Sequence, residues 1–372
     1  MSSETLSNAG SSGFQPAIHE LELLCVGNAI VDVFARAEDG LVLRYGLCEP
    51  VQHVEIEKLK TLLSELGEIT AVSGGGAANA AKIAALLGAK VGFTGAIGGT
   101  NSVGDNFGRL FTGNLKSAGV KTSLTQKPSP TGICLVLQTG EGTRIAASPS
   151  AALELSEGDI NEEEVRKAKV VVIDGFMLGR RDFVHRLIAL ADRNGAAVAI
   201  DLGSAAIAAE EADVIVSYVE SHIASNVSRH PFFLFMNEDE AVSFFNALNH
   251  SQPANALKQT QKFFKSLTKE ESSLVIVVKL GKRGAVCFAD GKTFHAGTEA
   301  IEPVETTGAG DTFCGAFLTA WVRGKHFAEC AAVGNKAARI VLDAAGTNVD
   351  KRAFKDLAAL LEGSPVSQAF HF

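Results

Sequence analysis

The sequence predicts an α/β fold: a central, mostly parallel sheet flanked by helices on both faces, with a small β-sheet lid. Three observations carry that expectation. From about residue 165 onward, short apolar runs alternate with amphipathic stretches, the pattern of parallel strands joined by helical crossovers. The apolar runs are nearly continuous, as strands buried on both faces must be. Two stretches, 35–54 and 123–150, break the alternation, and the second contains a hairpin pattern. We therefore expect a core domain from 21–34, 55–122 and 151–372, a lid from 35–54 and 123–150, and a polar, Ser/Gly-rich disordered tail over 1–20.

In chain order, Leu21–Phe34 is the first strand candidate, apolar except for Gly27, Asn28 and Asp32. The stretch through Tyr45 and Pro50 has no clear period. VEIEKLKTLLSELG has helical spacing, and Ala77–Leu87 is an Ala-rich helix opened by Gly74–Gly76. VGFTGAIG reads as a strand, NFGRLFTGNLKSAG as a helix closed by Gly119, and Thr131–Ala146 as a hairpin turning at Gly140 and Gly142. The alternation then runs through VVVIDGF, the helix FVHRLIALADRNG, AAVAIDL, PFFLFMN and the acidic helix start EDEAVSFFNAL. A polar helix over Asn255–Leu267, the strand LVIVVKLG and a GAVCFAD–KTFHAG hairpin follow. Helices over Ala309–Arg323, Phe327–Ala344 and Lys351–Leu361 close the chain.

Composition removes several classes. A net charge of −8 with no basic cluster argues against nucleic acid as a partner. No apolar run approaches the roughly 18 residues of a membrane span. The N-terminus lacks a basic-plus-apolar leader, and the six cysteines stand singly without a CxxC pair. The expected setting is cytoplasmic and reducing.

Ligands in such sheets bind beyond the carboxyl ends of the strands, where Asp32, Asp174, Asp201, Asn237 and Gly281 fall. The strongest local signal is VETTGAGDTFCGAF, Val304–Phe317. Gly308, Ala309 and Gly310 open an apolar helix with bare backbone, so successive N–H groups and the helix dipole form an anion hole. Asp311 follows in the first turn, placed to take a proton from an alcohol that attacks phosphorus. The plainer alternative is an acidic residue matched to a helix dipole. Gly74 and Gly75 let backbone approach a ligand, and Asn79 offers both donor and acceptor; tight strand–helix packing is the other reading. Asn28, Ile30 and Asp32 share one side of a strand, and Asp32 would bind either vicinal hydroxyls or backbone amides.

ETTGAGDTFCGAF and VSGGGAANAAKIAALLGAKVGFTGAIG resemble the two signatures of the ribokinase (PfkB) family of carbohydrate and nucleoside kinases. The similarity runs in order from about Leu24 to Asn348. It implies a ribokinase-like fold, ATP with Mg²⁺, Asp311 as general base, and Gly308, Ala309 and Gly310 as the anion hole. By the same resemblance Gly74, Gly75, Asn79 and Asp32 hold sugar hydroxyls. Asn237 and Glu240 match an N-x-x-E pattern that organises Mg²⁺ through water. Lys279, Gly281 and Gly284 lie in the nucleotide strand–turn, Asn335 beside the adenine, and Arg144 on a lid that closes over the phosphates; an exposed hairpin Arg is the other reading of Arg144. Lys282 and Arg283 read as solvated surface charge.

Glu305 stands where the family signature has an Asp that helps hold a monovalent cation. The extra methylene displaces the carboxylate by about a bond length, which leaves K⁺ activation open. Within the family, GNAIVDVFARAEDGLVLRYGL, DGFML and AIDLGSAAI are similar to the adenosine kinase branch, with Phe176 where that branch has an aromatic near the base. The implied acceptor is adenosine or a similar nucleoside; a free sugar such as ribose or fructose is the alternative. A non-catalytic sensor is disfavoured because Gly308, Gly310 and Asp311 are intact, and a dinucleotide-dependent dehydrogenase because GNAIVD is not GxGxxG. The assembly is monomer or homodimer.

Overall fold

The computed structural model describes residues 20–100, 104–225, 230–249, 255–268, 273–299, 308–343 and 351–362. The first half contains β1 (Leu21–Val26), β2 (Ile30–Arg36), α1 (Asp39–Arg44), β3 (Val51–His53), α2 (Ile56–Glu65), β4 (Ile69–Gly74) and α3 (Gly76–Leu86). It continues with β5 (Val91–Gly98), α4 (Asn106–Ser117), β6 (Lys121–Lys127), β7 (Gly132–Thr139) and β8 (Gly142–Ser148). Next come α5 (Glu162–Lys167), β9 (Ala168–Asp174), α6 (Arg181–Arg193), β10 (Ala197–Asp201), α7 (Ala205–Glu210), α8 (Ala212–Ala224), β11 (Phe232–Asn237) and α9 (Glu238–Asn249). The chain finishes with α10 (Ala256–Leu267), β12 (Leu274–Lys279), β13 (Ala285–Ala289), β14 (Lys292–Ala296), α11 (Ala309–Val322), α12 (Phe327–Leu342) and α13 (Lys355–Glu362).

The apolar runs assemble into a nine-stranded sheet in the order β14-β13-β12-β11-β10-β9-β1-β5-β6. Every pair from β12 to β6 is parallel, and β13 and β14 add an antiparallel edge. Period-two alternation sends successive side chains to opposite faces. On β11, Phe233 and Phe235 enter a core built with α3, α11 and α12. Phe232, Leu234 and Met236 enter the other core, with α6, α8, α9 and α10. Helices cover both faces, which is why these strands read as unbroken apolar runs.

The second sheet has the order β3-β8-β7-β2-β4. Its buried residues Val31, Val33, Ile133 and Leu135 join the first core through Leu59, Leu62 and Phe111. The hairpin expected over 131–146 is β7–β8, with Thr139 opposite Gly142.

Three expectations need correction. Leu21–Phe34 is two strands in different sheets, parted at Gly27, where a Cβ would lie 2.6 Å from the Ala77 Cβ. Sheet membership differs as well: β4 and most of β2, expected in the core domain, belong to the small sheet, while β6, most of it expected in the lid, pairs with β5 in the large one. Apolar character marks a strand but not its partner. Helices α1, α5, α7 and α8 were not read, three of them being only six residues long. Glu305, Thr306, Thr307 and almost all of the expected tail lie outside the described residues, and no described helix is long and apolar enough to cross a membrane.

Candidate active site

Four adjacent parallel strands end in polar residues: Asp174 on β9, Asp201 on β10, Asn237 on β11 and Lys279 on β12. Asp201 is in register with Asp174, and Asn237 with Lys279. A parallel sheet places all these strand ends on one edge, and the N-terminus of α11 is brought over it. There Gly308 is the N-cap in the left-handed conformation, φ 75°, which glycine adopts without a Cβ penalty. Gly308, Ala309, Gly310 and Asp311 line a cavity of about 670 Å³ together with Asp174, Phe176, Asp201, Asn237, Glu240, Lys279 and Asn335.

The hydrogen bonds show how each group is held. Asn79 Nδ2 donates to Asp311 Oδ2 at 3.0 Å, tying α3 to the first turn of α11. That approach is possible because α11 lies against α3 at Gly315, where a Cβ would sit 2.4 Å from the Ala80 carbonyl oxygen. Lys279 Nζ bonds both Asp201 oxygens, at 2.7 and 2.9 Å. A Cβ on Gly310 would lie 3.2 Å from the same ammonium, so this cation sits beneath the helix entrance. Asp201 and Glu240 hold Lys279 firmly protonated against its burial. Burial, with Glu240 and Asp311 nearby, works to raise the Asp201 carboxyl, but the ammonium on both oxygens keeps the pair ionised.

Asn237 and Glu240 form a reciprocal cap on α9. The backbone N and Nδ2 of Asn237 donate to the two Glu240 oxygens, and Glu240 N donates to Asn237 Oδ1, each at 2.8 Å. Burial raises the Glu240 carboxyl above its ordinary range. Asp174 is buried and accepts from Phe176 N at 3.0 Å and Ala77 N at 3.3 Å. Desolvation pushes it up to about 6.

On the small-sheet side, the Asp32 carboxylate occupies the space a Gly74 side chain would fill, 2.2 Å from the ideal Cβ position. The adjoining Lys82 is buried and donates to the Ser73 carbonyl at 2.7 Å. Burial lowers its ammonium to about 8, opposed by the charges of Asp32 and Asp311. Cys134 faces Asp32 across the β2–β7 pair, and burial beside that carboxylate pushes its thiol up to about 12.

Of the residues singled out from sequence, Gly308, Ala309, Gly310, Asp311, Phe176, Asn237, Glu240, Lys279, Gly281, Gly284 and Asn335 converge on the cavity. Asn28, Ile30, Asp32, Gly74, Gly75 and Asn79 do not line it; of these, Asn79 is bonded to the lining residue Asp311. Asn28 is buried and accepts from Arg180 at 2.8 Å through Oδ1. Gly75, at φ 89°, crosses the Asn28 carbonyl closely. Arg144 stays on β8, 3.5 Å from Glu141, and does not line the cavity. Lys279 is committed to Asp201, and Asn335 Nδ2 donates to the Ala296 carbonyl at 2.9 Å. Sequence reasoning missed Lys82 and Arg180 and gave Asp174 and Asp201 no role beyond their strand ends. A single lysine within AANAAKIAALL was the available signal for Lys82.

The family model described as pfkB family carbohydrate kinase matches residues 40–353. The chain is 25% identical to adenosine kinase from Schizophyllum commune over 343 residues, covering 87% of this chain and 96% of that one. It is 28% identical to 5-dehydro-2-deoxygluconokinase from Shouchella clausii over 315 residues, 81% and 89% of the two chains. Its fold is that of a probable sugar kinase from Rhizobium etli, with a TM-score of 0.77 at 23% identity over 92% of this chain and 99% of the other. Since the family match spans most of the sequence, the chain belongs to the pfkB family of carbohydrate kinases.

Proposed function

We propose that this kinase moves the γ-phosphoryl group of ATP to a primary hydroxyl of adenosine or a similar nucleoside, with Asp311 as general base. The observation that carries the reading is the entrance of α11. Its N-terminal backbone and Asp311 open onto the same cavity, with Lys279 beneath Gly310. Asp311 takes the hydroxyl proton as the oxygen attacks phosphorus in line. The amides of Gly308–Gly310 and the buried cation of Lys279 offset charge on the transferring oxygens. Asn79 orients the carboxylate, leaving its other oxygen for the acceptor.

At the nucleotide end, Gly281, Gly284 and Asn335 line the cavity, and the adenine would lie against them. Mg²⁺ would shield phosphate charge. Both Glu240 oxygens already accept from Asn237, and no cluster of three potential ligands occurs among the described residues. Glu240 therefore fits a metal held through water and by the nucleotide's own oxygens. The Arg144 hairpin would close over the phosphates when both substrates are bound.

A nucleoside is favoured by Phe176, 42% exposed on the cavity wall and free to stack on a flat base. The second reading, a sugar kinase, is supported by the similarity to 5-dehydro-2-deoxygluconokinase. ATP consumption with adenosine, other nucleosides, ribose, fructose and sugar acids separates the two. A ribose or sugar-acid preference would defeat the nucleoside assignment while leaving the kinase intact.

A further inference from the structure

Lys82 is a buried charge with no task in the chemistry of Asp311 and the α11 entrance. It stands on α3, among buried alanines, Asn79 and Ile83, and is 5% exposed. Its ammonium donates to the Ser73 carbonyl at 2.7 Å, near the end of β4 where the chain turns into α3. The next residue, Gly74, meets the Asp32 carboxylate, 2.2 Å from the position of its absent Cβ. On the helix itself Asn79 lies one turn before Lys82 and bonds Asp311 Oδ2 at 3.0 Å. One cation is thereby anchored beside two carboxylates from distant segments, and the charges of Asp32 on β2 and Asp311 on α11 both bear on it.

The groups around this cluster are Ser73 N, which donates to Asn114 on α4 at 2.9 Å, and the Cys134 thiol on β7, which hydrogen-bonds Asp32. Asp311 also faces Asp174 across Gly76, and Asp201 and Glu240 at the strand ends. Lys279, the cation beneath Gly310, is bonded to both Asp201 oxygens. Carboxylates gathered this closely disfavour one another's ionised forms unless cations stand among them. A cation taken out of water weakens the fold, and packing alone would be served as well by an apolar side chain. From this arrangement we infer that Lys82 is a positioning residue for phosphoryl transfer. Its buried ammonium, fixed on the Ser73 carbonyl, keeps Asp32 and Asp311 charged together when acceptor and ATP displace water. The inference rests on the kinase reading and adds to it a group that lies off the cavity wall.

The test compares the full chain with Lys82→Met and with Lys82→Gln, which removes the charge but can still donate to Ser73. kcat/KM for the acceptor found in the substrate panel is followed from about pH 5 to pH 9, alongside the melting temperatures of the ligand-free proteins. We expect the acid limb of the profile to move upward by about one pH unit or more in both variants, because a carboxylate that loses a neighbouring cation protonates more readily. The loss should be largest at the acid end and shrink as pH rises, while neither variant melts below the wild type at pH 7. An acid limb left in place in either variant would overturn the inference. So would an equal loss at every pH with a lowered melting temperature, which would make Lys82 a packing residue. Should Lys82→Met not fold, Lys82→Gln decides alone; if neither folds, Lys82 serves the fold and the inference fails. Absence of ATP-dependent turnover in the wild type with every acceptor would remove the kinase reading and this inference with it, whereas an unmoved acid limb removes only this one.

Discussion

Asp311 and Lys82 show how burial and partners divide labour between charges a few residues from one another in space. Asp311 lies on the cavity wall, hydrogen-bonded by Asn79, so it is both oriented and reachable. Replacing it with Ala should lower turnover by about 100-fold or more, the usual loss for a general base, while the melting temperature moves little; near-normal turnover would remove Asp311 from the mechanism. Lys82 is the reverse case, buried and lowered to about 8 from 10.5. The unfolded chain then binds more protons between those two pH values, so this group's penalty, about 3 kcal/mol, is present below pH 8 and relieved as pH rises towards 10.5. Urea unfolding at pH 7 and at pH 9.5 should therefore show a rise in stability in the wild type relative to Lys82→Met. Parallel pH dependence in the two proteins would show that Lys82 is not the source.

Among the elements, α3 and α11 form the unit that sets the site. Gly315 permits their contact, and the Asn79–Asp311 bond spans it. A methyl group at Gly315 would meet the Ala80 carbonyl and force the helices apart, a strain of about 1–3 kcal/mol. Gly315→Ala should lower both melting temperature and turnover, although residue 315 touches no substrate; unchanged turnover in a destabilised variant would mean that this spacing does not matter to the chemistry. The β7–β8 hairpin is the other element with a proposed task. Hydrogen exchange across 131–146 should slow when ATP and acceptor are both present, and more than with either alone. An unchanged exchange pattern would remove the closing lid.

For the whole molecule, the sheet edge and the α11 entrance make one large cavity, so a true acceptor should stabilise the fold globally. At 100 times Kd a ligand adds about 2.7 kcal/mol, which should raise the melting temperature by several degrees. Adenosine should do so more than ribose or fructose; if none of the three does, the acceptor belongs to another class. Much of this arrangement was legible in the chain. The α/β alternation, the hairpin and the glycine-opened helix α11 follow from local patterns, as do Asp311, Asn237, Glu240 and Gly281 at the ends of elements. What was not legible depends on pairing between distant segments. Nothing local separates β1 from β2 across Gly27, and nothing near β4 says that it joins β2 rather than β5.

By itself, the sequence determined most of the apolar strands and longer amphipathic helices and where charge meets a helix entrance, because propensity, periodicity and glycine act over a few neighbouring residues. The tertiary structure alone decided that Lys279 is held by Asp201, that Asn79 bonds Asp311, and that Asp174 and Asp311 meet across Gly76. Those outcomes depend on distances between groups tens to hundreds of positions apart, and on the loss of water around them, which no local pattern carries.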